Sequence, residues 1–236
     1  MARYGLAKHV FVCRDEEYIV ILDLKRDRYF ALEAARTAAL IPLLPGWPAP
    51  SPENTRAPPE LAVEEAAAPL LQQGWLLDES AASKDATPVR LPAPQTDLFG
   101  SGAIAGAKLG AHAVIAFLFA SIFAKLALRF RSLEWVVRRV AERNSAHAQR
   151  PFDMERARRL VDAFGRMRVF LFSSREECLH DSLAVLEFLA RHELFPSWVF
   201  GVRARPFAAH CWVQRADVVF NDSVEHSSSY TPIMVV

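Results

Sequence analysis

Near the C-terminus a thiol, an imidazole and a carboxylate occur in that order, on segments with opposite local patterns. Cys178 opens an apolar run in which Leu179, Leu183, Leu186 and Leu189 recur at helical spacing. His210 and Asp222 follow on two runs rich in β-branched and aromatic residues, 208–214 and 218–222, separated by Arg215-Ala216-Asp217. That polar triplet suits a three-residue hairpin loop. A chain that unites these groups must lay the start of a helix against a β-hairpin. With a three-residue loop, Gln214 faces Val218 and His210 faces Asp222, with Cβ atoms roughly 4.5–5.5 Å apart. A register one residue over sets Asn221 opposite His210 instead. Asp222 is preferred, because a carboxylate also stabilises an imidazolium.

Ser174-Arg175-Glu176-Glu177 has the form of a capping box, which places Cys178 in or just after a first helical turn. There the helix dipole and free N–H groups favour a thiolate, and a neighbouring imidazolium favours it further. The plainer alternative is a small buried hydrophobe. Cys211 is the rival nucleophile, but strand alternation points it to the face opposite His210, so it is expected in the core. His180, two residues beyond Cys178, points away from it on a helix. A zinc site of Cys178, His180, Asp222 and His226 is a further alternative, without a Cys-x-x-Cys or His-x-x-x-His spacing to support it.

Four blocks in order carry a resemblance: 178–184, 200–203, 205–213 and 220–222. They read Cys-Leu-His-Asp-Ser-Leu-Ala, Phe-Gly-Val-Arg, Arg-Pro-Phe-Ala-Ala-His-Cys-Trp-Val and Phe-Asn-Asp. Together they resemble the transglutaminase-like leader peptidases of lasso-peptide biosynthesis, the B proteins of those pathways, over about residues 170–222. The family commonly has Ala where Cys211 stands and a basic residue where His180 stands; neither departure touches the triad. The resemblance implies a papain/transglutaminase-like catalytic domain with Cys178 as nucleophile, His210 as general base and acid, and Asp222 as orienting carboxylate. It implies no cofactor and no metal.

A chain of 236 residues, 52% hydrophobic and of net charge +1, has material for one large or two small cores. Three scattered cysteines make no disulfide framework, and no basic-then-apolar leader opens the chain, so a reducing, cytoplasmic setting is expected. Residues 109–124 are free of charge between Lys108 and Lys125. At ~1.5 Å per residue they span about 24 Å, short of the ~30 Å hydrocarbon core. A buried helix is expected, with peripheral membrane contact as the alternative. Residues 125–168 carry twelve Lys/Arg against five Asp/Glu, read as the solvated faces of helices or as a docking surface for an acidic partner.

Residues 1–77 have another texture. Strands are expected at 9–13, 18–24 and 28–32, helices at 34–44 and 60–73, with Gly74 as the stop. Residues 78–102, rich in Ala, Ser, Pro and Asp, read as a linker, and 103–236 as the helical and catalytic part. The segment 23–32 followed by a helix resembles the RiPP recognition element, a winged-helix-like module that binds leader peptides. That resemblance implies an edge strand of Arg28, Tyr29, Phe30, Ala31 and Leu32 accepting the leader as an added strand. Ordinary core alternation, with Tyr29 and Ala31 on one face and Phe30 and Leu32 on the other, is the alternative. Glu60, Glu64 and Glu65 argue against nucleic acid as a partner.

The fold expected is thus α+β: a winged-helix-like three-stranded module, then a papain/transglutaminase-like domain. The activity expected is hydrolysis of a leader–core bond in a lasso precursor peptide. An asparagine-synthetase-like, ATP-dependent cyclase is the implied partner, and membrane contact is not expected. An acyltransferase on the same triad and a non-catalytic peptide-binding adaptor are the alternatives.

Overall fold

The computed structural model describes residues 4–49, 61–78, 83–98, 110–168 and 178–236. The expected capping box, residues 50–60 including the start of the second expected helix, and parts of the expected linker lie outside them. The architecture is mixed α+β, and it divides into two units. One comprises Met1–Arg90 with Val202–Ala208 and Thr231–Met234; the other comprises Leu91–Gly201, Ala209–Tyr230 and Val235–Val236.

In the first unit, strands β1 (Tyr4–Ala7), β2 (Val10–Asp15), β3 (Tyr18–Asp23) and β4 (Arg28–Glu33) precede α1 (Ala34–Thr37) and a 3-10 turn, Ala38–Leu40. Helix α2 (Leu61–Gln72), β5 (Leu76–Asp78) and β6 (Ser83–Lys84) follow. Two antiparallel three-stranded sheets result, β2-β3-β4 and β5-β1-β6. They close on one core of Leu6, Val10, Ile19, Ile21, Leu40, Leu44, Trp47, Leu70 and Trp75. The helix expected at 34–44 is broken. Thr37 has φ −106° and ψ 0°, and its hydroxyl donates back to Ala34 O at 3.1 Å. The chain then tightens, with Leu43 N–H and Leu44 N–H both donating to Leu40 O, which drives Leu40 and Leu44 into the core.

Strand β4 is at the edge of its sheet, as expected, and its alternation is resolved: Phe30 and Leu32 pack on the core, with Phe30 4.6 Å from the Trp75 ring. Ala34 N–H donates to Glu17 O at 2.8 Å, continuing the β3–β4 register. By strand alternation the N–H of Ala31 therefore points away from β3.

The second unit contains β7 (Thr96–Asp97), α3 (Ala111–Phe130), α4 (Leu133–Ala146), α5 (Met154–Arg168) and α6 (Cys178–Ala190). It also holds most of β8 (Ser197–Arg203) and β9 (Ala208–Arg215), then β10 (Val218–Val219) and α7 (Val224–Ser228). With β11 (Thr231–Val235) the strands form a sheet of order β11-β8-β9-β10-β7. The segment read as a linker thus contributes β6 and β7, and β7 pairs parallel to β10. Helix α3 packs on α6 and buries Ala116, Ala120, Ala124 and Ala127, small residues that let two helices approach closely, while its Phe117 meets Phe164 of α5 edge-on at 5.1 Å. Part of the basic excess is paired within the fold: half-buried Arg139 and Arg143 on α4 both bond to buried Glu187 on α6, at 2.8 and 2.7 Å.

One buried carboxylate ties the first core together. Asp23 accepts from the N–H groups of Lys25 and Arg26, from the Arg26 guanidinium at 2.7 Å and from the Trp75 indole at 2.9 Å. Burial pushes its pKa up, but these donors outweigh it and leave the carboxyl below its ordinary value. Asp23→Ala strands the indole N–H and loosens the β3–β4 turn, so it should cost about 1–3 kcal/mol. Urea denaturation checks this; a loss under about 0.5 kcal/mol would contradict it.

Candidate active site

Helix α6 and the β9–β10 hairpin meet at the thiol. The hairpin loop has two residues, not the expected three. Val218 pairs with Arg215 and Val219 with Gln214, and Ala216 takes the left-handed conformation at φ 52°. In that register His210 and Asp222 are not cross-strand partners. They meet because the ladder ends first. Phe220 N–H still donates to Val213 O at 2.9 Å, but Val213 N–H donates to the side-chain Oδ1 of Asn221 at 2.8 Å. Asn221 in turn donates through Nδ2 to Asp181 Oδ2 on α6 at 3.0 Å. With Asn221 so engaged, the chain leaves the strand and turns Asp222 onto the imidazole, His210 Nε2 to Asp222 Oδ2 at 2.6 Å. An ionised carboxylate only accepts, so Nε2 carries the proton, and Nδ1 is the ring nitrogen left for Cys178.

Beyond the end of β10, alternate N–H groups of β9 need other acceptors. Asn221 takes that of Val213, and the sulfur of Cys178 takes that of Cys211, two residues along. The thiol therefore sits at the open edge of β9, within reach of both faces of the strand. His210 approaches from one face and the Cys211 thiol from the other. Cys211 is buried, as expected, yet it is also a partner of Cys178, which alternation alone did not reveal. Its sulfur lies 3.3 Å from the Ser182 hydroxyl, which accepts from the Trp198 indole at 2.9 Å.

The charges follow from this wiring. The hydrogen bond from Cys211 draws the Cys178 thiol down to about 4; burial opposes it, and the hydrogen bond and charge of His210 reinforce it. Burial pushes the His210 ring down, but its bonds to Asp222 and Cys178 and their charges outweigh that and bring it up to about 9. Burial also raises Asp222, and its bond to His210 holds the net value below ordinary. Cys211 is pushed well above its ordinary value, first by burial and then by Cys178, so it remains a neutral donor. The two opposed shifts, thiol down and imidazole up, favour the thiolate–imidazolium form of the pair near neutral pH.

Three rings flank the imidazole: Trp212 stacked at 5.9 Å, Tyr230 at 5.1 Å and His226 at 4.5 Å. Gly201 on β8 makes room for this wall. A Cβ there would lie 2.7 Å from the Trp212 ring and 2.9 Å from Tyr230 Cβ. His226 on α7 bonds Asp222 through Nδ1 at 2.9 Å, one helical turn from the carboxylate, so Asp222 is held from two sides. The i,i+4 spacing of Asp222 and His226 was the sequence signal for this contact. His210, Asp222 and His226 offer ligand atoms within 4.8 Å of one another. The Cys178, His180, Asp222, His226 zinc set is not assembled, because His180 Nε2 turns to Ser121 O on α3 at 3.3 Å. The five residues expected to bind a leader, Arg28, Tyr29, Phe30, Ala31 and Leu32, lie together on β4 in the other unit.

Cys211→Ala removes the S–H donor to the thiolate. A charge-assisted hydrogen bond contributes about 1.5–3 kcal/mol, which corresponds to about one to two pH units. The pH at half-maximal alkylation of Cys178 by iodoacetamide should rise by that amount. An unchanged midpoint would mean that Cys211 does not hold the thiolate.

Residues 120–235, from within α3 to the end of β11, match the family model of the transglutaminase-like superfamily. No curated protein and no solved structure matches the chain at a significant level. Members of that superfamily are typically cysteine-protease-like enzymes, and the fold is one of cysteine peptidases and acyltransferases. The chain carries a transglutaminase-like superfamily domain over residues 120–235.

Proposed function

We propose that the protein is a cysteine peptidase that removes the leader from a lasso-type precursor peptide. The observation that carries the peptidase reading is the convergence of Cys178, His210 and Asp222, with His210 Nε2 2.6 Å from Asp222 Oδ2 and the thiol drawn down by hydrogen bonds from Cys211 and His210. The Cys178 thiolate attacks the carbonyl carbon at the leader–core junction, and the carbonyl electron pair moves to oxygen. The backbone N–H of Cys178 is the expected oxyanion donor. As the C–N bond breaks, the His210 imidazolium gives its proton to the leaving amine, and a thioester forms. Neutral His210 then takes a proton from water, whose oxygen attacks the thioester, and the thiolate returns. Asp222 keeps Nε2 protonated throughout, so Nδ1 is the nitrogen that exchanges the proton.

The leader role rests on the sequence resemblances, supported by the edge position of β4. The leader adds to β4 as a further strand, using backbone groups that face away from β3. The freed core amine is then the nucleophile for ring closure by an ATP-using, asparagine-synthetase-like cyclase. Attack of water, and not of a second amine, on the thioester is what separates this activity from acyl transfer.

Mass spectrometry of a precursor peptide incubated with the protein tests the chemistry. The parent should give leader and core, each one hydrolysed fragment, while Cys178→Ala gives neither yet keeps the parent's circular dichroism and leader affinity. Equal cleavage by both would overturn the assignment, and an amine adduct in place of the free acid would make the protein an acyltransferase.

The strand-addition reading has its own test. Ala31→Pro deletes an N–H that points away from β3, so it spares the β3–β4 ladder. Titrated with labelled leader, this variant of the full chain should bind at least tenfold more weakly than the parent. Its alkylation rate at Cys178 should be unchanged. Unaltered affinity in a folded variant would exclude pairing along β4.

A further inference from the structure

Helix α3 has two faces with different fates. One is committed to the helices packed against it, α6 and α5, and buries Ala116, Phe117, Ala120, Ala124 and Ala127. The other presents Ile115, Leu118, Phe119, Ile122, Leu126 and Phe130, between 43% and 71% exposed, at spacings of three and four residues. Among the described residues only Leu71 and Phe207 are comparably exposed large hydrophobics elsewhere. The buried helix expected from the sequence is therefore half open, and the open half is a continuous stripe along ~23 Å.

The charges around the stripe have one sign. Helix α3 contains no Asp or Glu, and Lys125 and Arg129 are exposed on the same face. Arg191 lies over the Phe119 ring at 5.2 Å and Arg129 over Phe130 at 5.7 Å, so guanidinium groups border the apolar side chains directly. Exposed Arg131 follows the helix end. An apolar stripe edged by cations is complementary to the boundary between acyl chains and anionic headgroups. A two-fold pairing of this face with a second copy would set Lys125 and Arg129 against their own kind with no carboxylate on the face to answer them. The length and composition of α3 would also permit it to cross a membrane. Crossing, however, would strip its other face from α6 and pull the Ser121 carbonyl from His180.

We propose that the exposed face of α3 binds the surface of an anionic lipid bilayer, with the helix lying in the interface plane. This stands independently of the peptidase reading. Flotation of the full-length protein with vesicles tests it. Binding should be at least tenfold tighter to phosphatidylcholine vesicles containing 30% phosphatidylglycerol than to pure phosphatidylcholine, and should weaken at 0.5 M salt. Ile122→Glu should abolish flotation, and Lys125→Gln with Arg129→Gln should reduce it at least tenfold. Both variants should keep the parent's Cys178 alkylation rate, which reports an intact fold. No flotation with anionic vesicles, or equal flotation of the parent and the folded Ile122→Glu variant, would overturn the proposal. So would a dimer in sedimentation velocity that Ile122→Glu dissociates, since the face would then be an interface between copies.

Discussion

The site depends on a buried polar link between a helix and a strand. Asp181, one turn into α6, is paired with Arg168 Nε at 2.9 Å and bonded to Asn221, whose other side-chain atom accepts from the backbone of β9. Burial raises the Asp181 carboxyl above its ordinary pKa, even against the Arg168 charge, so an unpaired carboxylate here would be costly. Asn221 satisfies helix and strand at once, and in doing so ends the β9–β10 ladder. Both consequences serve the same point in space. The open strand edge leaves the Cys211 N–H for the sulfur, and the turn after Asn221 delivers Asp222 to His210.

That link explains how the sequence reading reached the right neighbours through the wrong register. Spacing and residue type were enough to pair His210 with Asp222 and to put Cys178 at the start of a helix. The loop length was not legible, because the first turn position is Ala216, at φ 52°, where Gly is the usual signal. Nor could alternation show that an asparagine side chain would replace a backbone partner. The role of Cys211 was hidden for a related reason. It depends on which groups surround one edge of β9, and residue patterns along a single strand do not carry that information.

Elsewhere the limits were of other kinds. The strands β2, β3 and β4 followed from β-branched runs and a polar turn. The helix expected at 34–44 failed at Thr37, whose hydroxyl competes for backbone acceptors and whose neighbours gain more by burying Leu40 and Leu44. Hydropathy identified α3 as a helix but could not divide its faces, since alanine and phenylalanine count as apolar whether they meet α6 or solvent. The segment read as a linker looked irregular because its strands are two residues long, and β7 forms only by pairing with a partner far along the chain.

The central claim is that Cys178 and His210 form a thiolate–imidazolium pair at neutral pH. Nitrogen NMR of ring-labelled protein observes it directly. At pH 7 the His210 ring should carry protons on both nitrogens and should lose one only near pH 9, where the pull of Asp222 and Cys178 places its titration. A neutral His210 ring at pH 7, titrating near its ordinary 6.5, would contradict the account.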